Sequence, residues 1–176
     1  HTTGHRLYEQ TVKINSFEGY SRFSSEFTET SGVKMYLTSS YYDQASYYGI
    51  TKYDARQTNF SAMGFYEFEF MPRSFLKTGL GYKYLNIDEL IAFEDTTSKS
   101  YAGKYIKKES IPGLFAENSL SFLEDKASLM TGIRFDYHNE HKLVVTPRAL
   151  FRYQPVKTIV FRASIGSGFR TINLFS

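Results

Sequence analysis

The sequence contains no cysteine and no tryptophan. Without cysteine, the chain can form neither disulfide bonds nor thiolate metal sites. No window approaches the roughly eighteen consecutive apolar residues that a transmembrane helix requires, so a helical span is excluded. The net charge is only +3 and basic residues alternate with acidic ones, which gives no basis for nucleic-acid binding.

Phenylalanine and tyrosine are abundant, with 16 and 15 copies that make up 18% of the 176 residues. Aromatic rings suit the pleated surface of strands and also membrane interfaces, where one end of a ring is dry and the other wet. The mean hydropathy is negative, which argues against a helical membrane protein. A β-barrel is not excluded, because only alternate residues of its strands face lipid.

Apolar and polar positions alternate through three segments near the end of the chain, at 126–138, 143–154 and 158–170. Side chains on a strand point to opposite faces with period two, so each segment is predicted to be a strand with one apolar and one polar face. Strands of this length are seldom needed in a soluble sandwich. A membrane barrel needs strands of about ten residues or more, apolar toward lipid and polar toward the lumen.

The same pattern predicts strands along most of the chain. They are placed at about 19–28, 33–42, 58–70, 75–87, 111–123, 126–138, 143–154 and 158–170, with a weaker candidate near 6–14. Pro112 and Pro147 are expected at strand starts, where a missing N–H is tolerated. No segment keeps a helical apolar period, so we predict an all-β antiparallel meander.

The predicted connections alternate in length. Short polar turns are expected at 29–32, 71–74, 124–126 and 155–157, and they alternate with long loops at 43–57 and 88–110 and a shorter one at 139–142. Short turns on one rim and long loops on the other are typical of outer-membrane barrels, whose turns are periplasmic and whose loops are extracellular.

Four segments then suggest a family. They read IPGLFAE at 111–117, GIRFDYH at 132–138, VTPRAL at 145–150 and FRASIGSGFR at 161–170. This order of a GxRxD strand, a TPR strand and an RxSxGxGFR strand resembles the barrel of TonB-dependent outer-membrane receptors. A weaker likeness to a loop of the same group lies at 47–57.

The resemblance implies a transmembrane barrel of twenty-two strands that encloses an N-terminal plug. The chain offers eight or nine strands and nothing like a plug, so residues 1–176 are expected to be part of a larger receptor barrel in the Gram-negative outer membrane. The implied function is uptake of a scarce metal complex or cofactor, such as a ferric siderophore, haem or cobalamin.

The resemblance also implies the partners of such a receptor. They are outer-membrane lipid, the small-molecule ligand, and TonB, which transmits energy through a segment that precedes the plug and is not in this chain. Neither catalysis nor a resident cofactor is expected. The chain shows no clear Ser/His catalytic set, and Ser167 lacks the strand–turn–helix context of a nucleophile elbow.

Two groups of residues are candidates for ligand binding. Tyr41, Tyr42, Tyr47 and Tyr48 lie near the predicted extracellular rim, where they are suited either to stack on a planar ligand or to form an interfacial aromatic belt. His138 and His141, in a predicted hairpin turn, offer two imidazoles to haem iron or copper, or are simply solvated. The sequence does not identify a metal.

Five arginines fall on the polar faces of the last strands: Arg134, Arg148, Arg152, Arg162 and Arg170. A charge facing lipid costs a few kcal/mol, so these faces are predicted to line the lumen. There the arginines either steer an anionic ligand or pair with the plug and with neighbouring acids.

Two alternatives remain open at this point. One is a complete eight-stranded outer-membrane barrel that acts as an adhesin, a pore or a lipid enzyme. The other is a soluble lipocalin-like barrel whose apolar face lines the inside, a fold that fits poorly with arginine-rich polar faces and unequal loops.

Overall fold

The computed structural model describes residues 10–93 and 101–169, which form eight strands and no helix. The strands are β1 Gln10–Thr28, β2 Ser31–Tyr48, β3 Thr51–Met71, β4 Ser74–Phe93, β5 Tyr101–Phe122, β6 Ala127–His138, β7 Lys142–Val156 and β8 Ile159–Gly166. They lie in one sheet in sequence order, so the predicted all-β antiparallel meander is confirmed. No helix in the described parts of the chain is long and apolar enough to cross a membrane.

The strands β2 to β5 are much longer than the sequence pattern predicted. They contain 18 to 22 residues, about twice the length that a strand needs to cross a bilayer. The long loop expected at 43–57 is instead the end of β2, a tight turn at Gly49 and Ile50, and the start of β3. Gly49 adopts φ 63°, a left-handed conformation that glycine reaches without a Cβ penalty.

The prediction of a loop at 88–110 is also wrong for most of these residues. Residues 88–93 extend β4 and residues 101–110 begin β5, while 94–100 lie outside the described residues. The weaker strand predicted near 6–14 is not separate, because its described part, from Gln10, belongs to β1. Polar, tyrosine-rich segments resemble loops in composition, but tyrosine and threonine also favour strands, and here that preference prevails.

The two prolines expected at strand starts lie inside strands. The carbonyl of Pro147 accepts a hydrogen bond from the Ser167 amide at 3.1 Å, on the side of β7 where β8 lies. The N–H that proline lacks would point to that same side. Because β8 ends at Gly166, no ladder bond is lost there. Pro112 precedes the β5–β6 pairing, which begins at Gly113 opposite Asp136.

The described chain divides into two compact units. The first comprises residues up to 20, 38–60 and 84–109, and the second comprises 21–37, 61–83 and the residues from 110 onward. We call the sheet face that carries Glu67, Lys77 and Glu117 the inner face, and the opposite face the outer face. Strand alternation extends both names along every strand.

The second unit exposes many large apolar side chains on the outer face, which carries no charged residue within that unit. Examples are Leu80, Leu114, Ile133, Val145, Phe161 and Ile165. Among the described residues, Ala127 is the only hydrophobic residue that is fully buried. The described part of the sheet therefore has no ordinary hydrophobic core, and its exposed apolar face is suited to contact with an apolar medium.

Two glycines on neighbouring strands give a matched test of strand packing. A Cβ on Gly79 would overlap the carbonyl oxygen of Gly64 and lie 2.6 Å from the Cβ of Phe65, whereas a Cβ on Gly64 would meet nothing within 4 Å. We expect Gly79→Ala to lower the free energy of unfolding by about 1–3 kcal/mol, because the clash involves backbone atoms that cannot move independently.

The measurement is the urea midpoint of the full receptor folded into lipid vesicles. Gly64→Ala serves as the control and should leave the midpoint unchanged or raise it slightly, since alanine restricts the unfolded chain. Equal midpoints for the two variants would contradict the close strand approach at Gly79.

Candidate functional site

A chain of ion pairs crosses the inner face of the second unit. The Lys34 ammonium on β2 lies 3.9 Å from a Glu67 oxygen on β3. Lys77 on β4 lies 3.5 Å from Glu67 and 3.7 Å from Glu117 on β5. Arg148 on β7 then donates a hydrogen bond to the other oxygen of Glu117. Cations and acids therefore alternate over six strands.

The ion pair between Glu117 on β5 and Arg148 on β7 passes over β6, because β6 carries a glycine at this position. Gly132 on β6 is paired with Glu117 on one side and with Arg148 on the other. A Cβ at Gly132 would lie 3.3 Å from the Arg148 Nε and 3.4 Å from its Cγ, so the arginine lies directly over this position. The Glu117 side chain is only 7% exposed, and it is neutralised by Lys77 and Arg148.

A second arginine lies over a glycine in the same way. Arg134 Nε donates to both carboxylate oxygens of Asp136, at 2.9 and 2.7 Å. Its Cζ lies 6.0 Å from the centre of the Phe115 ring, and a guanidinium nitrogen lies 3.1 Å from where a Cβ on Gly81 would stand. Arg134 is therefore held by charge on one side and by an aromatic face on the other.

The four described arginines predicted to share a polar face do share one. Arg152 on β7 lies directly opposite Arg162 on β8, and its Nη2 donates to the side chain of Gln154. Both point to the inner face, together with Arg134 and Arg148. Arg170 lies outside the described residues.

The first unit shows a different inner face, which is aromatic and mostly uncharged. The Tyr42 hydroxyl donates to Gln44 Oε1 at 2.8 Å, and Gln44 Nε2 donates to the hydroxyl of Ser46 at 2.6 Å. Ser46 is fully buried. The Tyr53 hydroxyl donates to Glu89 Oε1 at 2.9 Å. Hydrogen bonds along and between strands thus hold the phenol rings in place.

Tyr53 lies near the start of β3, before the apolar stretch of that strand, which begins at Phe60. Burial and the hydrogen bond to Glu89 raise the pKa of Tyr53 to about 12. The phenol therefore keeps its proton at neutral pH and acts as a donor.

The four tyrosines predicted as one cluster are divided between the two faces. Tyr42 and Tyr48 are half-buried on the inner face. Tyr41 and Tyr47 lie on the outer face and are 37% and 49% exposed, with the Lys52 ammonium 5.9 Å from the Tyr47 ring centre. The residues lie on β2, which the sequence pattern ended too early, and strand alternation separates each adjacent pair.

The structure brings His138 and His141 together, with ring centres 4.8 Å apart. Phe169 packs edge-on against both rings, at 5.7 and 5.3 Å. The buried His138 uses Nδ1 to accept the backbone N–H groups of Glu140 at 3.0 Å and His141 at 3.3 Å. The neutral His138 ring therefore carries its proton on Nε2, the nitrogen that a metal would otherwise approach.

No group of three or more histidine, aspartate or glutamate side chains is arranged to hold a metal ion within residues 10–93 and 101–169. Binding of haem iron or copper by the two histidines stays a prediction. Binding by both rings would require His138 to give up its hydrogen bonds with the backbone. Otherwise only His141 could act as a ligand.

Sequence reasoning missed four residues that organise these faces: Glu117, Gly132, Tyr53 and Glu89. Counting alternate positions along the strand predicted at 111–123 would have placed Glu117 on the face opposite Leu114. The role of Gly132 depends on strand register, which the sequence alone does not reveal. Tyr53 and Glu89 were assigned to loops.

Comparison with known proteins agrees with this architecture. A family model described as "TonB dependent receptor-like, beta-barrel" matches residues 2–176. No curated protein matches the chain.

The ion pairs of Glu117 generate a test of inner-face electrostatics. We expect Glu117→Gln to lower the free energy of unfolding by about 1–3 kcal/mol, because the buried side chain loses two charged partners. The measurement is equilibrium unfolding of the full receptor in vesicles.

Glu124→Gln is the control, since its side chain is 88% exposed and 3.9 Å from Lys126. Its effect should stay within about 0.5 kcal/mol. Similar losses of stability at the two positions would show that the chain of ion pairs on the inner face is not a special source of stability.

Proposed function

The chain belongs to the TonB-dependent receptor-like β-barrel family, and on that premise we propose that it forms part of the wall of an active-transport receptor. The family is one of outer-membrane transport proteins. The receptor would bind a scarce metal complex or cofactor outside the cell and import it with energy transmitted by TonB.

One observation carries this proposal: the outer face is apolar in the second unit but charged in the first, and the inner face of the first unit is rich in tyrosine. In the second unit, the outer face is apolar and the inner face is charged. In the first unit, the inner face carries tyrosines and neutral polar groups beside Glu89 and the Lys107–Glu109 pair, while the outer face also carries charges such as Asp88 and Lys104. An aromatic inner face beyond the lipid-facing stretch is suited to contact a ligand rather than lipid.

The chemistry of that inner face indicates the kind of ligand. Tyr42, Tyr48 and Tyr53 offer ring faces for stacking and hydroxyl groups for hydrogen bonds. Gln44 adds a neutral amide. These groups fit a planar or macrocyclic complex such as haem, cobalamin or a ferric siderophore better than a small hydrated ion.

The energy source is tested by uptake in the native host. Labelled ferric siderophores, haem and cobalamin are supplied to cells with and without the receptor gene, and in cells that lack TonB. We expect uptake of one ligand to require both genes. Uptake that persists without TonB would indicate a passive pore and contradict active transport.

The ligand-binding face is tested with two adjacent tyrosines on opposite faces. We expect Tyr48→Ala to weaken binding of the imported ligand about 3- to 10-fold, the loss typical of one aromatic contact. Tyr47→Ala removes the same group from the outer face and should leave the affinity unchanged.

Affinity is measured by fluorescence quenching or calorimetry on the purified full receptor. A larger loss for Tyr47→Ala than for Tyr48→Ala would place the ligand on the opposite face and reject the proposed site.

A further inference from the structure

Strand β5 continues well past the end of its neighbour β6. The β5–β6 pairing covers Gly113 to Phe122, whereas β5 already begins at Tyr101. Among the described residues, the first part of β5, at 101–109, has β4 as its only neighbouring strand. One long side of this part of β5 is therefore an edge of the sheet.

The direction of the backbone groups along β5 follows from two hydrogen bonds. The Ser110 amide donates to the Asn139 side chain at 3.0 Å, on the side of β6. The Ser121 amide donates to the carbonyl of Arg73, which directly precedes β4. Because successive residues of a strand direct their N–H and C=O groups to opposite sides, even-numbered residues of β5 face the side of β6. Pro112 is one of them, and its missing N–H explains why the pairing with β6 stops there.

The N–H and C=O groups of Ala102, Lys104 and Ile106 point to the side of β5 where no described strand lies. We call these three residues the open edge. Unpaired backbone groups are not tolerated in hydrocarbon, so the open edge must lie in water. This location agrees with the charged outer face of the first unit. A row of unpaired backbone groups in water is a template for a further strand.

The open edge is held in an extended conformation by side chains on both faces. On the inner face, the hydroxyl groups of Tyr101 and Tyr105 lie 3.0 Å apart. A Cβ on Gly103 would lie 2.8 Å from the Tyr101 hydroxyl and 3.1 Å from the Tyr105 ring, so both side chains close over this glycine. On the outer face, the Lys104 ammonium lies 3.2 Å from Asp88 on β4. A strand that is ordered in advance loses less entropy when a partner pairs with it.

The outer-face side chains along this edge select its partner. Lys104, Ile106 and Lys108 alternate there and are exposed, Ile106 by 58%. If two copies of the chain paired antiparallel about Ile106, Lys104 of each copy would face Lys108 of the other. Like charges directly opposite each other destabilise a strand pair, so a second copy is disfavoured. An acidic strand with one apolar residue between its acids fits instead.

We propose that the open edge binds an extended acidic segment of another protein, which adds to the sheet as an antiparallel strand beside β5. Its acids face Lys104 and Lys108, and its apolar residue faces Ile106. The selecting side chains lie on the outer face, away from the tyrosines proposed to bind the imported ligand. The location of the edge outside the cell rests on the proposed function, whereas the pairing itself does not require transport.

The probe is a fluorescent heptapeptide in which threonine alternates with glutamate, valine and glutamate. Its valine is placed to face Ile106, and its glutamates face the two lysines. Binding to the purified full receptor is measured by fluorescence anisotropy. A matched peptide with lysine in place of both glutamates should bind about tenfold more weakly, because it places like charges opposite each other. Equal binding of the two peptides would overturn the proposal.

Methylation of single peptide nitrogens tests the strand pairing directly. Methylation of the central valine removes an N–H that points to β5, and it should weaken binding about tenfold or more, because a carbonyl of the edge loses its donor. Methylation of the adjacent threonine changes an N–H that points away from β5, so the affinity should stay within about twofold. Equal losses from the two methylations would reject strand addition.

A charge reversal on the receptor gives the complementary test. Lys104→Glu combined with Lys108→Glu should reverse the preference, so that the lysine peptide binds more tightly than the glutamate peptide. Lys107→Gln is the control, because this side chain lies on the inner face beside Glu109, and it should keep the original preference. An unchanged preference in the double variant would contradict the proposal. If that variant does not fold, the methylated peptides decide.

Hydrogen exchange shows whether the edge is open in the full receptor. The amides of Lys104 and Ile106 should exchange quickly until the peptide protects them, whereas the Gly103 amide, which points to β4, should be protected throughout. Protection of Lys104 and Ile106 without peptide would show that the receptor's own chain covers the edge, or a second copy if protection rises with receptor concentration. Either result would overturn the proposal.

The peptide measurements need no imported ligand, so this inference and the transport proposal fail separately. A receptor that binds the acidic peptide but imports nothing would refute transport alone. A receptor that imports its ligand but does not bind the acidic peptide would refute strand addition alone.

Discussion

A charged side chain that faces hydrocarbon costs a few kcal/mol, and the arrangement of this sheet depends on that penalty. Because strand side chains alternate, every second residue must be apolar wherever the outer face meets lipid. All charge in those segments then falls on one face, where it must be neutralised at close range. The result is the chain of ion pairs that runs from Lys34 through Glu67, Lys77 and Glu117 to Arg148.

The same penalty explains which parts of the fold the sequence predicted. Where lipid imposes strict alternation, as in β6 and β7, the pattern is unmistakable and the predicted bounds differ from the observed ones by at most two residues. Where β2 to β5 continue past the lipid-facing stretch, neither face has to be apolar. The alternation weakens there, so strands at 43–48 and 51–57 had the composition of a loop.

The candidate site was less predictable, for a related reason. The arginines could be assigned to one face by counting, but their partners depend on register between strands that are distant in sequence, such as Arg148 and Glu117. Tyr41, Tyr42, Tyr47 and Tyr48 were recognised as an aromatic group. Their separation into two faces required knowledge that β2 extends through Tyr48.

The arginines that lie over Gly81 and Gly132 have a consequence for the thickness of the wall. Each of these arginines has a side-chain nitrogen 3.1 or 3.3 Å from the place where a Cβ on the glycine would stand, so it uses the space that a larger residue would fill. Two of the inner-face cations therefore keep part of their side chains close to the main chain. A bulkier residue under either arginine would lift its side chain away from the main chain, which would thicken the wall and separate the cation from its acid.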